Sequence, residues 1–178
     1  MEKIVAIRKI KIYVISRISK DAHSWTDSVC NHLDELFEVF KPKDHNPWNM
    51  NNELLSKSVF DIDLMAMKKS HLGLMLPEYG NDCAWEAGWY ANSEKPLVVF
   101  VDGQRQWLRD WMVKGGVDHV ITKNYLTFRF LLKDPILKYK NIVLIQQMRE
   151  LNNALKDIYI SHYHNDKGFK KLRQMKAG

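Results

Sequence analysis

The stretch at positions 71–101, HLGLMLPEYGNDCAWEAGWYANSEKPLVVFV, carries a strand, a helix and a second strand in succession. Residues 71–76 and 96–101 are short apolar runs of the kind found in buried strands, and residues 83–92 between them predict a helix. A helix that connects two neighbouring strands makes them parallel, and the crossover is almost always right-handed. The stretch therefore predicts an α/β fold built on a parallel sheet.

The same alternation continues on both sides of this stretch. Upstream, residues 10–15 (IKIYVI) predict a first strand, residues 22–36 a helix and residues 37–41 (FEVFK) a short second strand. Downstream, residues 104–113 predict a helix and residues 117–121 a fifth strand. Strands that alternate with helices are typical of a sheet covered on both faces. We therefore expect a doubly wound, flavodoxin-like three-layer sandwich with a five-stranded, mostly parallel sheet in the order 2-1-3-4-5.

The remaining segments predict connections and one terminal helix. Residues 42–52 hold two prolines and four asparagines and predict a loop that covers part of the molecule. Asp61 is predicted to cap a short helix at residues 62–69. Apolar residues spaced by three and four from 142 to 158 predict a C-terminal helical extension. Residues 124–140 carry no pattern that assigns them to a helix or a strand.

The composition is that of one globular domain with a basic end. The chain has 178 residues, of which 46% are hydrophobic and 27% are charged, as is ordinary for a globular protein. The last twelve residues hold five lysines and arginines and no acid, and without them the net charge of +6 falls to about +1. We expect one domain over residues 1–162 and a solvated basic tail over residues 163–178. Nucleic acid is not an expected partner, although a tail that contacts phosphate or RNA is the alternative interpretation.

Cysteine usage and the N-terminal residues predict a cytoplasmic protein. Cys30 and Cys83 lie far apart and in no metal-ligand spacing, which favours a reducing compartment. Lysines and arginines interrupt residues 1–17, so this segment predicts neither a secretory signal nor a membrane span. No histidine pattern indicates a metal site, and no glycine-rich phosphate motif occurs, so we expect no metal and no cofactor.

Small and polar residues follow the two strands that flank the expected switch point of the sheet. In the order 2-1-3-4-5 this point lies between the first and third strands, and ligands bind outside the carboxyl ends there. Short polar side chains, backbone amides and a guanidinium are suited to substrate recognition. The candidate substrate contacts at this point are Ser16, Arg17, Ser19, Gly80 and Asn81.

Three carboxylates near the same edge are candidates for chemistry. Glu86 is expected in the first turn of a helix, where the backbone N–H groups favour an ionised carboxylate. Cleavage of a glycosidic bond uses such a carboxylate to attack the anomeric carbon, while a second carboxyl group protonates the leaving group. Asp82 and Asp63 are the candidate partners. Structural roles explain the same residues, with Asp82 as a helix cap and Asp63 and Glu86 as first-turn helix acids, and the pattern alone leaves both interpretations open.

Residues 60–101, FDIDLMAMKKSHLGLMLPEYGNDCAWEAGWYANSEKPLVVFV, resemble the core of the nucleoside 2-deoxyribosyltransferase family. In that family an Asp begins a helix, an apolar strand and a loop Asp follow, and then come a Glu in an E-x-G setting, an Ala and a K-P pair. The matching positions here are Asp63, residues 71–76, Asp82, Glu86-Ala87-Gly88, Ala91 and Lys95-Pro96. The first strand, KIYVISRIS, is similar to the family's first strand and places Tyr13 at the position of its tyrosine.

The resemblance implies a role for each of the four matching side chains. Glu86 would attack the anomeric carbon to form a glycosyl-enzyme, and Tyr13 would hydrogen-bond Glu86 and fix its orientation. Asp63 would hold the sugar and the nucleophile in place. Asp82 would contact the base and protonate it as it leaves, although the loop that carries Asp82 is shorter than in family members with a longer Asp-to-Glu spacing.

The fate of such a glycosyl-enzyme distinguishes two activities. We expect transfer of a 2-deoxyribosyl group to another nucleobase, because a base-reading Asp82 suits a transferase. Related proteins of the superfamily hydrolyse nucleoside 5′-monophosphates and bind the phosphate near the first strand, so a monophosphate N-glycosidase that uses Ser16, Arg17 and Ser19 is the alternative. A non-catalytic nucleotide sensor on the same fold is the third hypothesis. The resemblance also implies a nucleoside or its monophosphate and a free nucleobase as partners, and a homodimer or higher homo-oligomer.

Overall fold

A sheet of six parallel strands forms the centre of the computed structural model, in which residues 9–18, 23–45, 53–77, 79–103 and 110–164 are described. The strands are β1 (Lys11–Ser16), β2 (Glu38–Phe40), β3 (Leu72–Leu76), β4 (Leu97–Val101), β5 (His119–Thr122) and β6 (Asn141–Leu144). They are arranged in the order β2-β1-β3-β4-β5-β6. The switch point of the sheet therefore lies between β1 and β3, as predicted.

Helices cover both faces of this sheet. The α-helices are α1 (His23–Asp34), α2 (Glu53–Lys69), α3 (Asn81–Asn92), α4 (Trp111–Gly116), α5 (Tyr125–Leu131) and α6 (Met148–His164), and short 3₁₀ helices occupy Pro42–Asp44 and Leu137–Tyr139. Helices α1 and α6 pack on one face, and α2 to α5 contribute to the core on the other face. The result is a three-layer sandwich. Among the described residues, none of the helices has the length and apolar character needed to cross a membrane.

The alternation of side chains along β1 determines which residues face the α2–α3 layer. Ile12 and Val14 belong to the core beneath α1 and α6, whereas Tyr13 and Ile15 belong to the core beneath α2 and α3. Successive side chains of a strand point to opposite faces, so this division follows directly from the strand conformation. Tyr13 thereby lies on the same side of the sheet as the two helices that carry the candidate carboxylates.

The predicted fold class is confirmed, but the sheet has six strands and not five. The apolar spacing that we assigned to a single helix from Ile142 spans both β6 and α6, and α6 begins only at Met148. Residues 142 to 144 are partly buried because β6 is an edge strand. A four-residue strand is too short for periodicity to distinguish it from one helical turn. Helix α5 and a 3₁₀ helix occupy the segment at 124–140 to which we assigned no structure.

The start of helix α2 differs from the prediction. The helix begins at Glu53, so Asp61 lies inside it and does not cap it. Instead, the Asp61 carboxylate accepts a hydrogen bond from Lys57 Nζ at 2.6 Å, one turn earlier. Such exposed pairs contribute only a few tenths of a kcal/mol to a helix. Asp63 consequently lies in the second half of a long helix and not in the first turn of a short one.

The starts of helices α3 and α4 differ as well. Gly80 is the N-cap of α3, and Asp82 lies in the first turn and does not cap the helix. Asp110 is the N-cap of α4, and its Oδ1 accepts hydrogen bonds from the backbone N–H groups of Met112 and Val113. Because Asp110 has an extended backbone, the helix predicted at 104–113 does not run through this position. Residues 104–109 lie outside the described residues.

Gly73 in β3 makes room for the ring of Tyr90 from α3. A Cβ atom at position 73 would lie 2.8 Å from two ring carbons of Tyr90. The ring is fully buried, and the Tyr90 hydroxyl lies 2.6 Å from Ser70 Oγ. We expect Gly73→Ala to lower the free energy of unfolding by about 2 kcal/mol, because overpacking must displace a buried ring. Denaturant unfolding monitored by circular dichroism measures this loss.

Gly88→Ala is the matched control for this overpacking. Gly88 is an exposed residue of α3, and nothing lies within 4 Å of a Cβ atom built there. Alanine is the better helix former, so this variant should gain up to about 1 kcal/mol. Equal unfolding midpoints for Gly73→Ala and the wild type would show that the Tyr90 ring moves without cost.

Candidate active site

Tyr13 and Glu86 are in direct contact at the α2–α3 face of the sheet. Tyr13 Oη donates a hydrogen bond to Glu86 Oε1 over 2.5 Å. Tyr13 is the third residue of β1, and Glu86 lies in the second turn of α3. Helix α3 directly follows β3, which is the hydrogen-bonded neighbour of β1. The connection between β3 and α3 therefore brings Glu86 to the tyrosine hydroxyl.

Burial dominates the electrostatics of Glu86. It raises the pKa of this carboxyl to about 8, and the negative charges of Asp63 and Asp82 act in the same direction. The hydrogen bond from Tyr13 opposes them and lowers the pKa, because it stabilises the carboxylate. We predicted Glu86 in the first helical turn, and that placement is wrong, because α3 begins at Asn81 and Glu86 lies in its second turn. At this position burial, and not the helix start, has the largest effect on the pKa of Glu86.

Asp63 faces this pair from helix α2. It is partly buried, and its Oδ1 atom is buried with no hydrogen-bond partner among the described residues. Burial raises the pKa of Asp63 to about 6, and the positive charge of His45 opposes this effect. The charge of Asp63 also raises the pKa values of Tyr13 and Glu86. The structure therefore brings three of the four candidate catalytic residues into one electrostatic unit.

The fourth candidate, Asp82, lies at the solvent side of this unit. It is an exposed residue in the first turn of α3, one turn before Glu86, and its charge contributes to the raised pKa of Glu86. Gly80 is the N-cap of the same helix, and Asn81 is its exposed first residue. As a glycine, the N-cap residue has no side chain that could accept hydrogen bonds from the first N–H groups of this helix. These residues lie where backbone N–H groups point out of the helix.

The candidates after the first strand lie at the carboxyl end of the sheet. Ser16 is the last residue of β1 and pairs with Leu76, the last residue of β3. Arg17 follows as an exposed side chain. Because α3 begins five residues after Leu76, Ser16 and Arg17 share this edge with the start of α3. Ser19 lies outside the described residues.

The rings of His45, Phe40 and Tyr13 form a column that ends beside Glu86. The sequence predicted only Tyr13 as a site residue, and not Phe40 or His45. The ring of Phe40 stacks on Tyr13 with centroids 5.4 Å apart, and the ring of His45 stacks on Phe40 with centroids 4.8 Å apart. Phe40 of β2 is the register partner of Tyr13, so the first stack follows from strand pairing. The sequence indicated only that His45 lies in a predicted loop, residues 42–52, that covers part of the molecule.

Tyr79 and Asp110 form a contact that connects the start of α4 to this edge of the sheet. The sequence did not indicate this contact. Tyr79 Oη donates a hydrogen bond to Asp110 Oδ2 over 3.1 Å. Burial and the Asp110 carboxylate raise the pKa of Tyr79 to about 12, so its hydroxyl keeps its proton at neutral pH. Tyr79 immediately precedes the N-cap Gly80. The contact therefore fixes the chain that leads into α3 and to Glu86.

A cavity of about 460 Å³ adjoins the site on the side of the edge strand. It lies between β2, the beginning of β1 and one flank of α2, and its lining includes Val39, Phe40, Ile62 and Met65. Phe40 belongs to this cavity and also stacks on Tyr13. The candidate carboxylates are not part of its lining. Within the described ranges, no group of three or more histidine, cysteine, aspartate or glutamate residues is arranged to hold a metal ion.

Solved structures share this arrangement of strands and helices. The chain matches a 2-deoxyribosyltransferase from Bacillus psychrosaccharolyticus over 80% of its own length and 90% of that chain, with a TM-score of 0.57 and 16% sequence identity. It has the fold of a 2-deoxyribosyltransferase. A conserved protein from Enterococcus faecalis V583 also matches, over 84% of this chain and 98% of that chain, with a TM-score of 0.51 and 17% identity. Comparison with protein families and with curated protein sequences finds no match.

Proposed function

We propose that the chain is a nucleoside 2-deoxyribosyltransferase that cleaves an N-glycosidic bond through a covalent intermediate on Glu86. The observation that carries the proposal is the 2.5 Å hydrogen bond from Tyr13 to Glu86, with the Asp63 carboxylate beside it. A carboxylate that is held by one donor and faced by a second carboxylate suits an oxocarbenium-like transition state. The shared fold with a 2-deoxyribosyltransferase supports the same class of reaction.

Each proposed step conserves atoms and protons. A Glu86 oxygen attacks the anomeric carbon, the bond from this carbon to the base nitrogen breaks, and Asp82 passes a proton from solvent to the leaving base. The Asp63 carboxylate faces the positive charge that develops on the sugar. A second base then attacks the anomeric carbon, expels the Glu86 carboxylate and gives up a proton, which returns through Asp82 to solvent. The products are a new nucleoside, the released base and the enzyme in its starting state.

Cys83 does not compete with Glu86 as the nucleophile. It is buried in α3, and burial together with the nearby Glu86 carboxylate raises the pKa of its thiol to about 12. A thiol attacks only in its deprotonated form. Cys83 therefore remains an inert core residue at neutral pH, and the carboxylate is the group available for attack.

A monophosphate N-glycosidase is the second candidate, and the start of α3 favours it. The N-cap of this 12-residue helix is a glycine, which offers no side-chain cap, and the exposed Arg17 lies at the same edge of the sheet. The N–H groups at a helix start and a guanidinium together suit a phosphate group. In this mechanism water, and not a second base, resolves the glycosyl-enzyme, and a 5′-phosphate lies near Ser16 and Arg17.

Product analysis distinguishes the two reactions. Each deoxynucleoside and deoxynucleoside monophosphate is incubated with the protein, with and without a second free base, and the products are separated by chromatography. A new nucleoside that forms only with the second base supports the transferase. Free base released without an acceptor, and fastest from monophosphates, supports the hydrolase. Nucleotide binding without release of base under any condition would leave the sensor as the remaining hypothesis.

Arg17→Ala tests the phosphate site. If monophosphates are the substrate, we expect their KM to rise about 10- to 100-fold, because the variant loses charge-assisted hydrogen bonds worth about 1.5–3 kcal/mol. The turnover of the unphosphorylated deoxynucleoside should stay the same. Arg129→Ala is the control, since Arg129 is an exposed residue of α5 that contacts Tyr125. Equal losses on phosphorylated and unphosphorylated substrates would contradict a phosphate contact.

A further inference from the structure

The ring column gives His45 a defined position beside the carboxylates. His45 is exposed and directly follows the 3₁₀ helix Pro42–Asp44, where its backbone N–H donates to the carbonyl oxygen of Pro42 over 3.0 Å. Its ring is nearly parallel to that of Phe40, at an interplanar angle of 13°. Phe40 is in turn nearly parallel to Tyr13, at 11°. A surface histidine is thus aligned with the tyrosine that holds Glu86.

The carboxyl group of Asp63 is the group whose pKa the charge of His45 lowers. Its Oδ1 atom is buried without a hydrogen-bond partner among the described residues, and such an atom retains a large desolvation cost. His45 is the group whose positive charge opposes this cost.

We propose that His45 is a positioning residue of the site, which holds Asp63 as an anion against the sugar while its ring covers Phe40 and Tyr13. The inference rests on the proposed function, because it assigns a task to Asp63 in the same reaction. Asp63 then accepts hydrogen bonds from the sugar and faces the developing positive charge. His45 itself touches no reacting atom.

The titratable groups that interact electrostatically with Asp63 come from three elements. His45 faces it from the turn after the first 3₁₀ helix, Glu86 from α3, and the Tyr13 hydroxyl from β1. Among these groups, His45 is the one whose charge favours the ionised form of Asp63. Loss of the imidazole charge should therefore raise the pKa of Asp63, and Asp63 would keep its proton to a higher pH.

His45→Phe tests the assignment, because phenylalanine keeps the stacked ring and removes the charge. The pKa of Asp63 is measured without substrate, by carbon-detected NMR titration of its carboxyl group. We expect this pKa to rise by about 1. The control is His164→Phe, which alters an exposed histidine at the end of α6 that contacts Tyr159. Thermal unfolding of both variants checks that the fold is retained.

The rate of base release gives a second readout. Relative to the wild type, kcat/KM of His45→Phe should fall roughly tenfold below about pH 6 and recover above about pH 8, as expected from a rise of about 1 in the pKa of Asp63. A stacking role alone predicts a defect that does not change with pH. Phe40→Leu keeps the imidazole charge and removes the ring stack. Its defect should therefore not change with pH, which separates the contribution of stacking from that of charge.

The NMR titration decides the proposal even if the reaction is a different one. An Asp63 pKa in His45→Phe that equals the wild-type value overturns the assignment of His45, whatever the activity. A raised Asp63 pKa in a protein that releases no base from any nucleoside or nucleotide supports the pairing of His45 with Asp63 and overturns the proposed function.

Discussion

Replacement of Glu86 by Gln or Ala is expected to lower the rate of base release at least about a thousandfold, since no neighbouring group can form the covalent intermediate in its place. Asp63 and Asp82 are the nearby carboxylates, but they approach from α2 and from the exposed first turn of α3, and Glu86 is the one that Tyr13 holds. Glutamine is the sharper substitution, because its amide oxygen can still accept the hydrogen bond from Tyr13. The measurement is single-turnover release of base, followed by chromatography.

Two controls distinguish a loss of catalysis in Glu86→Gln from a loss of folding. Glu35→Gln, which alters an exposed acid in the turn after α1, should leave the rate unchanged. The Gln variant of Glu86 should unfold at no lower temperature than the wild type at pH 9. Burial raises the pKa of Glu86 from 4.5 to about 8, so stability falls as the pH rises between these two values, where the unfolded chain ionises first, and the full cost is present at pH 9. An amide avoids that cost. Near-normal turnover in Glu86→Gln would exclude Glu86 as the nucleophile.

The strands were predictable because their side chains are apolar over the full length of the run. The strand predicted at residues 71–76 is observed as Leu72–Leu76, and the one predicted at 96–101 as Leu97–Val101. Both are completely buried, so every residue of the run contributes to the signal. β6 was missed for the opposite reason. It lies at the edge of the sheet and is only partly buried, and its four residues also fit the spacing of the following helix.

The sequence predicts the position of a site residue when that position follows from the order of strands and helices along the chain. Glu86 was a candidate from its place on the helix after the third strand and from the family resemblance, whereas Tyr13 was a candidate only from the resemblance of the first strand. A residue on β1 and a residue on the helix after β3 lie near each other in a sheet with this switch point. The protonation of Glu86 was not predictable, because it depends on how deeply α2 and α3 bury the carboxyl group. The place of His45 depends on a 3₁₀ turn and two ring stacks, and none of these has a sequence pattern of its own.

Tyr13→Phe is expected to lower base release about 10- to 100-fold at pH 7 and much less at high pH. Phenylalanine keeps the ring that stacks on Phe40 and removes only the hydroxyl that donates to Glu86. A hydrogen bond to a charged group contributes about 1.5–3 kcal/mol, which corresponds to a rise of about 1 to 2 in the pKa of the carboxyl group. The hydrogen bond lowers the pKa of Glu86, so its loss shifts the acid limb of the rate profile above about pH 8.

The pH dependence separates this effect from a structural defect. In Tyr13→Phe the fraction of ionised Glu86 recovers as the pH rises, so the deficit should shrink to about twofold near pH 10. Tyr90→Phe is the matched control, because this buried tyrosine occupies the same core but its hydroxyl contacts Ser70. It should lose stability without any shift of the acid limb. A Tyr13→Phe deficit that stays constant from pH 6 to pH 10 would mean that the hydroxyl positions Glu86 without controlling its charge.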